Sequence, residues 1–488
     1  MTPANLVFLV IAAALIVSLP RRAAVVPLLL AAAYTTRQPI VELGPASLSV
    51  LRVLVLIGFA RAAVRGEYFA HGLNAVDWLL FAWATLLVGM SVFHTSDAWT
   101  FRLGLMLGEV GAYILCRIFI QSVEDVRWLF KVLSVALVPL AGLMLLEKEL
   151  VYNFFSIMGG SEAVIIREGH VRAAGPFGHP ILAGVAGATC VPMALSLWRT
   201  NRLVAFVGFC AAAGIVFAST SSGPIMMVLF TVLALVVWNV RKRLRLIRWA
   251  AVAAIFALDR MMTDPVYFVM AKIDITGGST GWFRAALIRS ALINIGEWWA
   301  VGTDYTRHWM PSGIPANNNH TDMTNHLLAI GVMGGLPTLA MFLVMLFAAF
   351  HAVGKALKAS EGRSPADAFL VWTLGAMLFG HVANFWSISL FDQSATFFYL
   401  VLATIGAVQA AQAPALAVAG DSLSRIRLRR TEQERSQVLT TGSRNAVVGW
   451  GSKVGSDWKR SKASSMGVTS SDRPSWSNRR SLKQSGLR

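Results

Sequence analysis

Long apolar runs separated by short polar segments make up most of this chain. A helix needs about 20 apolar residues to cross the hydrocarbon core of a bilayer, and most of the runs reach or approach that length. The runs at 23–37 and 247–259 are shorter. The pattern predicts an all-α polytopic membrane protein with about 12 or 13 transmembrane helices. The runs lie at residues 4–20, 23–37, 46–64, 74–94, 99–121, 126–146, 179–198, 202–220, 223–240, 247–259, 324–350, 366–386 and 391–413.

The basic segments between the runs predict the orientation. Segments 241–248 and 354–363 are rich in Lys and Arg, which favours a cytoplasmic location. Counting helices from these segments places 147–178 and 260–323 together on the outer face. The loop 260–323 contains several tryptophans, which are typical of short helices lying in the membrane interface. The first run has no basic residue before it, which favours a retained helix over a cleaved signal peptide.

Composition and charge agree with a membrane protein. The chain is 56% apolar and 14% charged, against about 25% charged in soluble domains. Residues 420–488 hold 15 Lys and Arg against 5 Asp and Glu, so more than half of the net charge of +18 lies there. We therefore expect a transmembrane domain over 1–419 and a basic, disordered cytoplasmic tail over 420–488. This tail would be attracted to anionic lipid headgroups rather than to nucleic acid. The three cysteines show neither disulfide nor metal spacing.

Polar residues gather where the two outer loops meet apolar runs. Arg172 and His179 precede a helix predicted to begin at Pro180, and Arg284 lies on a periodic apolar stretch. Arginine at an outer boundary opposes the positive-inside bias and calls for an anionic partner. Guanidinium groups grip phosphate oxygens in pairs, so a phosphate-bearing lipid is the expected ligand. The alternatives are contact with bilayer phosphates, or pairing with Glu162, Glu168 or Glu297.

Three further residues are candidates. His320 comes just before the apolar run at 324–350, and Asp322 could orient it or cap the following helix. His320 itself could simply cap that helix. Glu109 is an acid within an apolar run and therefore a functional candidate, although Arg102 on roughly the same helical face offers an ion pair.

Residues 150–350 resemble the superfamily of O-antigen ligases and polysaccharide polymerases, which are multi-helix glycosyltransferases of the bacterial inner membrane. Three stretches carry the resemblance. They are "RAAGPFGHPILAG" from Arg172, "GWFR" ending at Arg284 and followed by "WWAVGTD", and the spacing His–x6–Leu–x3–Gly–x2–Gly from His320. The chain departs from the family pattern at Thr321, at Ala329 and in the turn "SSGP".

The resemblance implies glycan transfer from an undecaprenyl-pyrophosphate carrier to a sugar hydroxyl at the periplasmic face. His320 would act on the acceptor hydroxyl, and Arg172 and Arg284 would hold the pyrophosphate. Asp322, His179 and Glu109 would be supporting residues. The reaction is expected to be inverting, with no metal and no cofactor. The acceptor would be lipid A core for a ligase or a second carrier-linked glycan for a polymerase.

Two other functions are compatible with parts of the sequence. A transporter or flippase of lipid-linked sugars would concentrate its charges at the bilayer midplane and often shows repeats of broken helices. Here the polar residues lie in the outer loops, and no internal repeat is apparent. A non-catalytic scaffold for polysaccharide export would leave Arg172, Arg284 and His320 without a common role.

Overall fold

The computed structural model describes residues 2–36, 41–43, 46–272, 281–362 and 364–412. Helices α1 to α16 are Pro3–Ser18, Val25–Tyr34, Val50–Arg65, Ala75–Gly89, Ser96–Phe119, Val123–Leu150, Pro180–Ser196, Arg202–Ser219, Ser222–Val236, Leu244–Met261, Val269–Lys272, Gly281–Ile293, Ile295–Trp298, His326–Glu361, Pro365–Asn384 and Ala395–Gln412. Two antiparallel hairpins complete the described fold. They are β1 (Val41–Leu43) with β2 (Ala46–Leu48), and β3 (Ile165–Arg167) with β4 (His170–Arg172).

Every predicted apolar run contains a helix, and the chain has the character of an all-α polytopic membrane protein. In the described residues, seven helical stretches are long and apolar enough to cross a membrane. They are Ala75–Phe93, Val123–Leu150, Arg202–Ser219, Ser222–Met261, His326–Glu361, Pro365–Asn384 and Ala395–Gln412. The shorter helices α1 and α7 are also apolar. The predicted tail 420–488 lies outside the described residues.

The helix ends follow from local side-chain chemistry. Several helices begin at a Ser or Asn whose side-chain oxygen accepts an N–H of the first turn, which satisfies one of the donors that a helix start leaves over. Helices α7 and α15 begin with proline, which lacks the N–H that would otherwise be left over. The capping side chains are those of Ser49, Asn74, Ser122, Asn201, Asn325 and Ser364.

Helix α7 lies at the centre of the part of the bundle that carries the polar residues. It packs against α8, α9 and α15, and almost all of its residues are buried. Small residues make this close packing possible, because a Cβ at Gly184 would lie 2.5 Å from the ring of Pro224. Hydrogen bonds between segments show which ends meet. The C-terminal ends of α6, α8 and α15 lie beside the N-terminal ends of α7, α9, α14 and α16.

Candidate functional site

A cavity of about 180 Å³ lies at this end of the bundle. Six parts of the chain line it: the hairpin β3–β4, the start of α7, the start of α9, helix α12, the segment 314–324, and the segment 387–391 between α15 and α16. Both of the long loops predicted to share the outer face therefore contribute to one cavity. The lining residues that carry charge or titrate are Arg167, His170, Arg172, His179, Arg284 and Asp322.

Arg172 is held at the end of β4 and is 8% exposed. One terminal nitrogen donates a hydrogen bond to Ser221 Oγ at 2.7 Å, and Ser221 in turn donates to the Ser219 carbonyl at 2.8 Å. Burial, together with the nearby charge of Arg167, lowers the pKa of Arg172. Its guanidinium still carries the positive charge, because the ordinary pKa of arginine lies far above neutral pH.

The end of α6 fixes the backbone around Arg172. Glu147 is almost fully buried and accepts hydrogen bonds from the N–H groups of Ala174 and Gly175 at 2.8 and 2.9 Å. Lys148 donates to the Val171 carbonyl at 3.1 Å and to Thr220 Oγ1 at 2.6 Å. These bonds hold the segment on either side of Arg172 against the helices, so the position of its guanidinium is set by the bundle.

Arg284 lies on the buried stripe of α12. It shares the helical spacing i, i+3, i+4, i+7 with Leu287, Ile288 and Ala291, all buried, and it is itself 8% exposed. Burial and then the charge of Arg167 lower its pKa, and Asp322 acts in the opposite direction. Glu297, a sequence-based candidate partner, instead accepts hydrogen bonds from the side chains of His308 and Trp309.

Three buried polar atoms of the cavity lining have no hydrogen-bond partner in the described structure. They are the Nε atoms of Arg172 and Arg284 and the hydroxyl oxygen of Thr324. Buried polar groups are normally paired, so such atoms need an explanation. Their gathering in one cavity is what a binding site for a polar ligand would require.

Two helix starts face this cavity. His179 is the N-cap of α7 and accepts the Ile181 N–H through Nδ1 at 3.2 Å, which leaves Nε2 as the protonated nitrogen of the neutral ring. Burial, then the charges of Arg172 and Arg167, lower the pKa of His179 to about 4, so the ring is neutral at pH 7. Ser221 and Ser222 begin α9, and no side chain caps this start. Helix starts attract anions.

Asp322 is the carboxylate among the described lining residues. Burial raises its pKa, and the positive charge of Arg284 opposes that shift. Its backbone N–H donates to the Ile314 carbonyl at 2.8 Å, which closes the loop 314–322 at its base. Asp322 does not cap α14, because Asn325 holds that position.

His320 lies in the loop 314–322 but is not among the lining residues. Its Nδ1 is 3.3 Å from Thr306 Oγ1, and its backbone N–H donates to the side chain of Asn317 at 2.8 Å. Burial lowers the pKa of His320, although Asp304 acts in the opposite direction, so the ring is neutral at pH 7. A neutral imidazole can accept a proton. His320 does not cap α14, so the capping alternative is wrong.

Glu109 is not brought to the cavity. It lies on α5, where its side chain interacts with Tyr399 of α16. Arg102, the partner considered from the sequence, donates hydrogen bonds to the Leu87 carbonyl at 3.4 Å and to Ser91 Oγ at 3.3 Å. Glu109 thus links α5 to α16 and is not among the residues that line the cavity. Of the candidate residues, Arg172, His179, Arg284 and Asp322 line one cavity.

Sequence reasoning missed Arg167, His170 and Ser221. The first two lie on a β-hairpin inside a loop of an otherwise helical protein, where apolar periodicity directs attention to helices. The signal was the stretch "IIREGHVR", in which Glu-Gly separates two short segments of strand-forming character. Ser221 was noted only as part of a turn, and its role as the partner of Arg172 depends on the tertiary fold.

No protein-family model matches this chain, and no curated protein matches it significantly. The chemistry of the cavity is therefore the basis for assigning a function. Among the described residues, three arginines, one carboxylate, two helix starts and three buried polar atoms without a hydrogen-bond partner surround this space. This arrangement can bind an anion with more than one charge, and it presents a carboxylate beside it.

Proposed function

We propose that this protein transfers a glycan from a polyprenyl diphosphate carrier, undecaprenyl pyrophosphate in a bacterial inner membrane, to a sugar hydroxyl at the periplasmic face. The observation that carries the proposal is the convergence of Arg172 and Arg284 in one cavity at the end of the bundle, each with a buried Nε atom that has no hydrogen-bond partner among the described residues. The cavity lies beside the starts of the apolar helices α7 and α9, a position that suits an anion carried on a lipid.

The step is a displacement at the anomeric carbon of the donor sugar. The acceptor oxygen forms the new bond to that carbon while the bond from the carbon to the diphosphate oxygen breaks, and its electron pair leaves with the diphosphate. The arginines stabilise the charge that develops on this leaving group. Attack opposite the leaving group inverts the anomeric configuration.

The proton of the acceptor hydroxyl passes to a basic side chain. His320 is the group that the resemblance implies, and its lowered pKa leaves it neutral and able to accept a proton. Asp322 is a second candidate, because it lines the cavity beside Arg284. The variants H320A and D322N separate the two roles, since the base is the residue whose loss slows transfer without weakening donor binding.

A deletion strain analysed for surface glycans tests the proposal. If the protein is a ligase, polymer is lost from lipopolysaccharide while carrier-linked polymer accumulates. If it is a polymerase, long chains are lost and single repeats remain. Wild-type protein and R289A should restore the glycan, and R284A should not, because Arg289 is exposed on α12 and Arg284 is buried at the cavity. An unchanged glycan profile after deletion would contradict both forms of the proposal.

A further inference from the structure

Two stacked aromatic rings stand exposed on the segment that follows α13. Tyr305 lies nearly flat against His308, with ring centroids 5.0 Å apart and an angle of 10° between the ring planes. The side chain of His308 is 40% exposed, and Tyr305 is 48% exposed. Ordered rings that stay open to the surroundings mark a surface that contacts something outside the chain.

Glu297 of α13 holds the pair in place. Its carboxylate accepts hydrogen bonds from His308 Nε2 at 3.0 Å and from Trp309 Nε1 at 2.9 Å. Trp309 is 6% exposed, because its ring belongs to a small apolar core that includes Phe283. The buried indole fixes the carboxylate, the carboxylate fixes the imidazole, and the imidazole supports the ring of Tyr305. The surface is therefore preorganised for a ligand.

The polar surroundings of the pair distinguish it from a membrane anchor. The exposed amide residues 317–319 lie on the neighbouring loop, and the side chain of Glu297 is 42% exposed. The hydrogen bond from Trp309 lowers the pKa of this carboxyl group, burial opposes the shift, and the hydrogen bond from His308 lowers it further, so the group is ionised at pH 7. An ionised carboxylate is costly to place against lipid, so the rings beside it face water.

The aromatic pair is connected to His320. Thr306, the residue after the first ring of the pair, donates its backbone N–H to the Asn319 carbonyl at 2.9 Å, and its Oγ1 lies 3.3 Å from His320 Nδ1. The base of the same loop, 314–322, lines the cavity through Asp322. This loop thus joins the cavity to the aromatic pair, and His320 lies on the stretch between the two.

This combination of groups fits a sugar. One face of a pyranose ring consists of C–H groups and packs flat on an aromatic ring, and the hydroxyl groups at its edge bond to carboxylates and amides. Tyr305 offers the flat aromatic surface, and Glu297 offers the carboxylate at its edge. A lipid chain would use the ring but not the carboxylate.

We propose that Tyr305 and His308 form a platform on which a sugar ring of the acceptor glycan stacks, with Glu297 binding its hydroxyl groups. This inference rests on the proposed function, because it gives the second substrate of that reaction a surface next to His320. The three platform residues are not among those that line the cavity. Loss of the platform should therefore weaken binding of the acceptor and leave binding of the carrier diphosphate unchanged.

Saturation-transfer NMR of the full-length protein in nanodiscs tests the platform. The probes are the core oligosaccharide and a single repeat unit, both released by acid from the surface glycan of the strain that produces the protein. The wild type should bind one of the two. Y305A should bind that probe about tenfold more weakly, because it loses the burial and stacking of one aromatic ring. Y305F keeps the ring and should bind as the wild type does.

Trp282 provides a matched control. It is an exposed aromatic residue of α12, and its ring packs edge-on against Phe283. W282A should bind the oligosaccharide as the wild type does, and the thermal midpoints of W282A and Y305A should stay near that of the wild type. Equal weakening by both variants, an unchanged affinity in Y305A, or a wild type that binds neither probe would overturn the platform.

Transfer kinetics separate this inference from the proposed function. In the reconstituted reaction, Y305A should raise the KM for the acceptor about tenfold and leave the KM for the carrier-linked donor unchanged. Transfer by Y305A with the wild-type KM for the acceptor would overturn the platform while leaving the proposed function standing. Binding of an oligosaccharide through Tyr305 with no glycoside formed would overturn the proposed function and leave a sugar-binding surface.

Discussion

At the residue scale, the shape of the two buried guanidinium groups matters as much as their charge. Arg172 uses one nitrogen to bind Ser221, and the Nε atoms of Arg172 and Arg284 have no partner in the described structure. Lysine keeps the positive charge but has neither an Nε donor nor a planar fork. R172K and R284K should therefore lower transfer by about tenfold to a hundredfold, judged from the loss of one or two charge-assisted hydrogen bonds.

Arg289 provides the matched control for that prediction. It lies on the same helix as Arg284 but is exposed, so R289K should transfer at the wild-type rate. Initial rates in membranes with equal amounts of each protein are the measurement. Equal tolerance of lysine at all three positions would indicate that these arginines only contact bilayer phosphates.

His320 and His326 should differ in what their loss changes: transfer for the first, stability for the second. H320A should lower transfer by about 10²- to 10⁴-fold if the ring is the base. His326 instead packs against Phe385 and Phe342, with ring centroids 4.7 and 5.7 Å apart, and accepts the Leu390 N–H at 3.3 Å. H326A should lower thermal stability and yield, while each folded molecule keeps substantial activity.

Activity per folded molecule, determined by counting monodisperse protein, separates the two effects. The reverse result, an active H320A and an inactive but well-folded H326A, would mean that the base has been assigned to the wrong histidine.

Residue types and spacing singled out Arg172, His179, Arg284 and Asp322 as candidates, because each stands where an apolar run meets a polar loop. They could not show that the side chain of His320 turns towards Thr306, since that depends on how the loop 314–322 folds back at its base. Glu109 was a candidate because it is an acid within an apolar run, with an ion pair to Arg102 as the alternative. Its helix carries its side chain to Tyr399.

At the element scale, Gly334 of the motif and its neighbour Gly335 allow a break in α14 that receives the preceding loop. Gly334 and Gly335 leave helical geometry, Gly335 with φ of 77°. The Leu336 N–H then donates to the Trp299 carbonyl at 2.7 Å, and the Thr303 N–H donates to the Val332 carbonyl at 2.9 Å. Through these two hydrogen bonds, the segment 299–303 that follows α13 is held against α14 at the break.

Two glycine substitutions in α14 should therefore have opposite effects. G335A forces a strained φ and places a Cβ 2.3 Å from the Ala300 carbonyl oxygen, so it should cost about 2 kcal/mol or more and weaken pyrophosphate binding. Gly354 has nothing within 4 Å of a Cβ, so G354A should be neutral or stabilise the helix by up to about 1 kcal/mol. Thermal unfolding in detergent measures both. A destabilised G354A beside an unaffected G335A would contradict this role of the break.

The helices were predictable because runs of about 20 apolar residues form helices in a bilayer, where every backbone group must be paired within its segment. The hairpin β3–β4 was not, because three residues per strand are too few to show a period. The break in α14 was also missed. The glycine spacing was visible in the sequence, but a glycine in an apolar run predicts close packing as readily as a break.

At the scale of the whole molecule, the proposed transfer at the periplasmic face requires that the cavity face the periplasm. Ser312 is exposed in the loop before α14, and Lys358 is exposed near the end of that helix. S312C should react with an impermeant thiol reagent in intact cells, and K358C should react only after the membrane is permeabilised. The background should lack Cys210, which is the exposed native cysteine among the three. Labelling of K358C but not of S312C would place the cavity in the cytoplasm and contradict periplasmic transfer.

Counting helices between basic segments predicted that the two long loops share one face of the membrane. An odd number of crossings between two loops puts them on opposite faces, and an even number returns the chain to the same face. The depth and shape of the cavity did not follow, because they depend on contacts such as those of Glu147 with Ala174 and Gly175.

Reconstituted transfer is the most direct test of the central claim. The full-length protein in nanodiscs receives a synthetic polyprenyl diphosphate glycan and a glycan acceptor, and mass spectrometry follows both products. The account predicts a new glycoside and an equal amount of released polyprenyl diphosphate, with both products lost in R284A and retained in R289A. Movement of an intact donor between leaflets of a vesicle, with no glycoside formed, would contradict the account and identify a flippase.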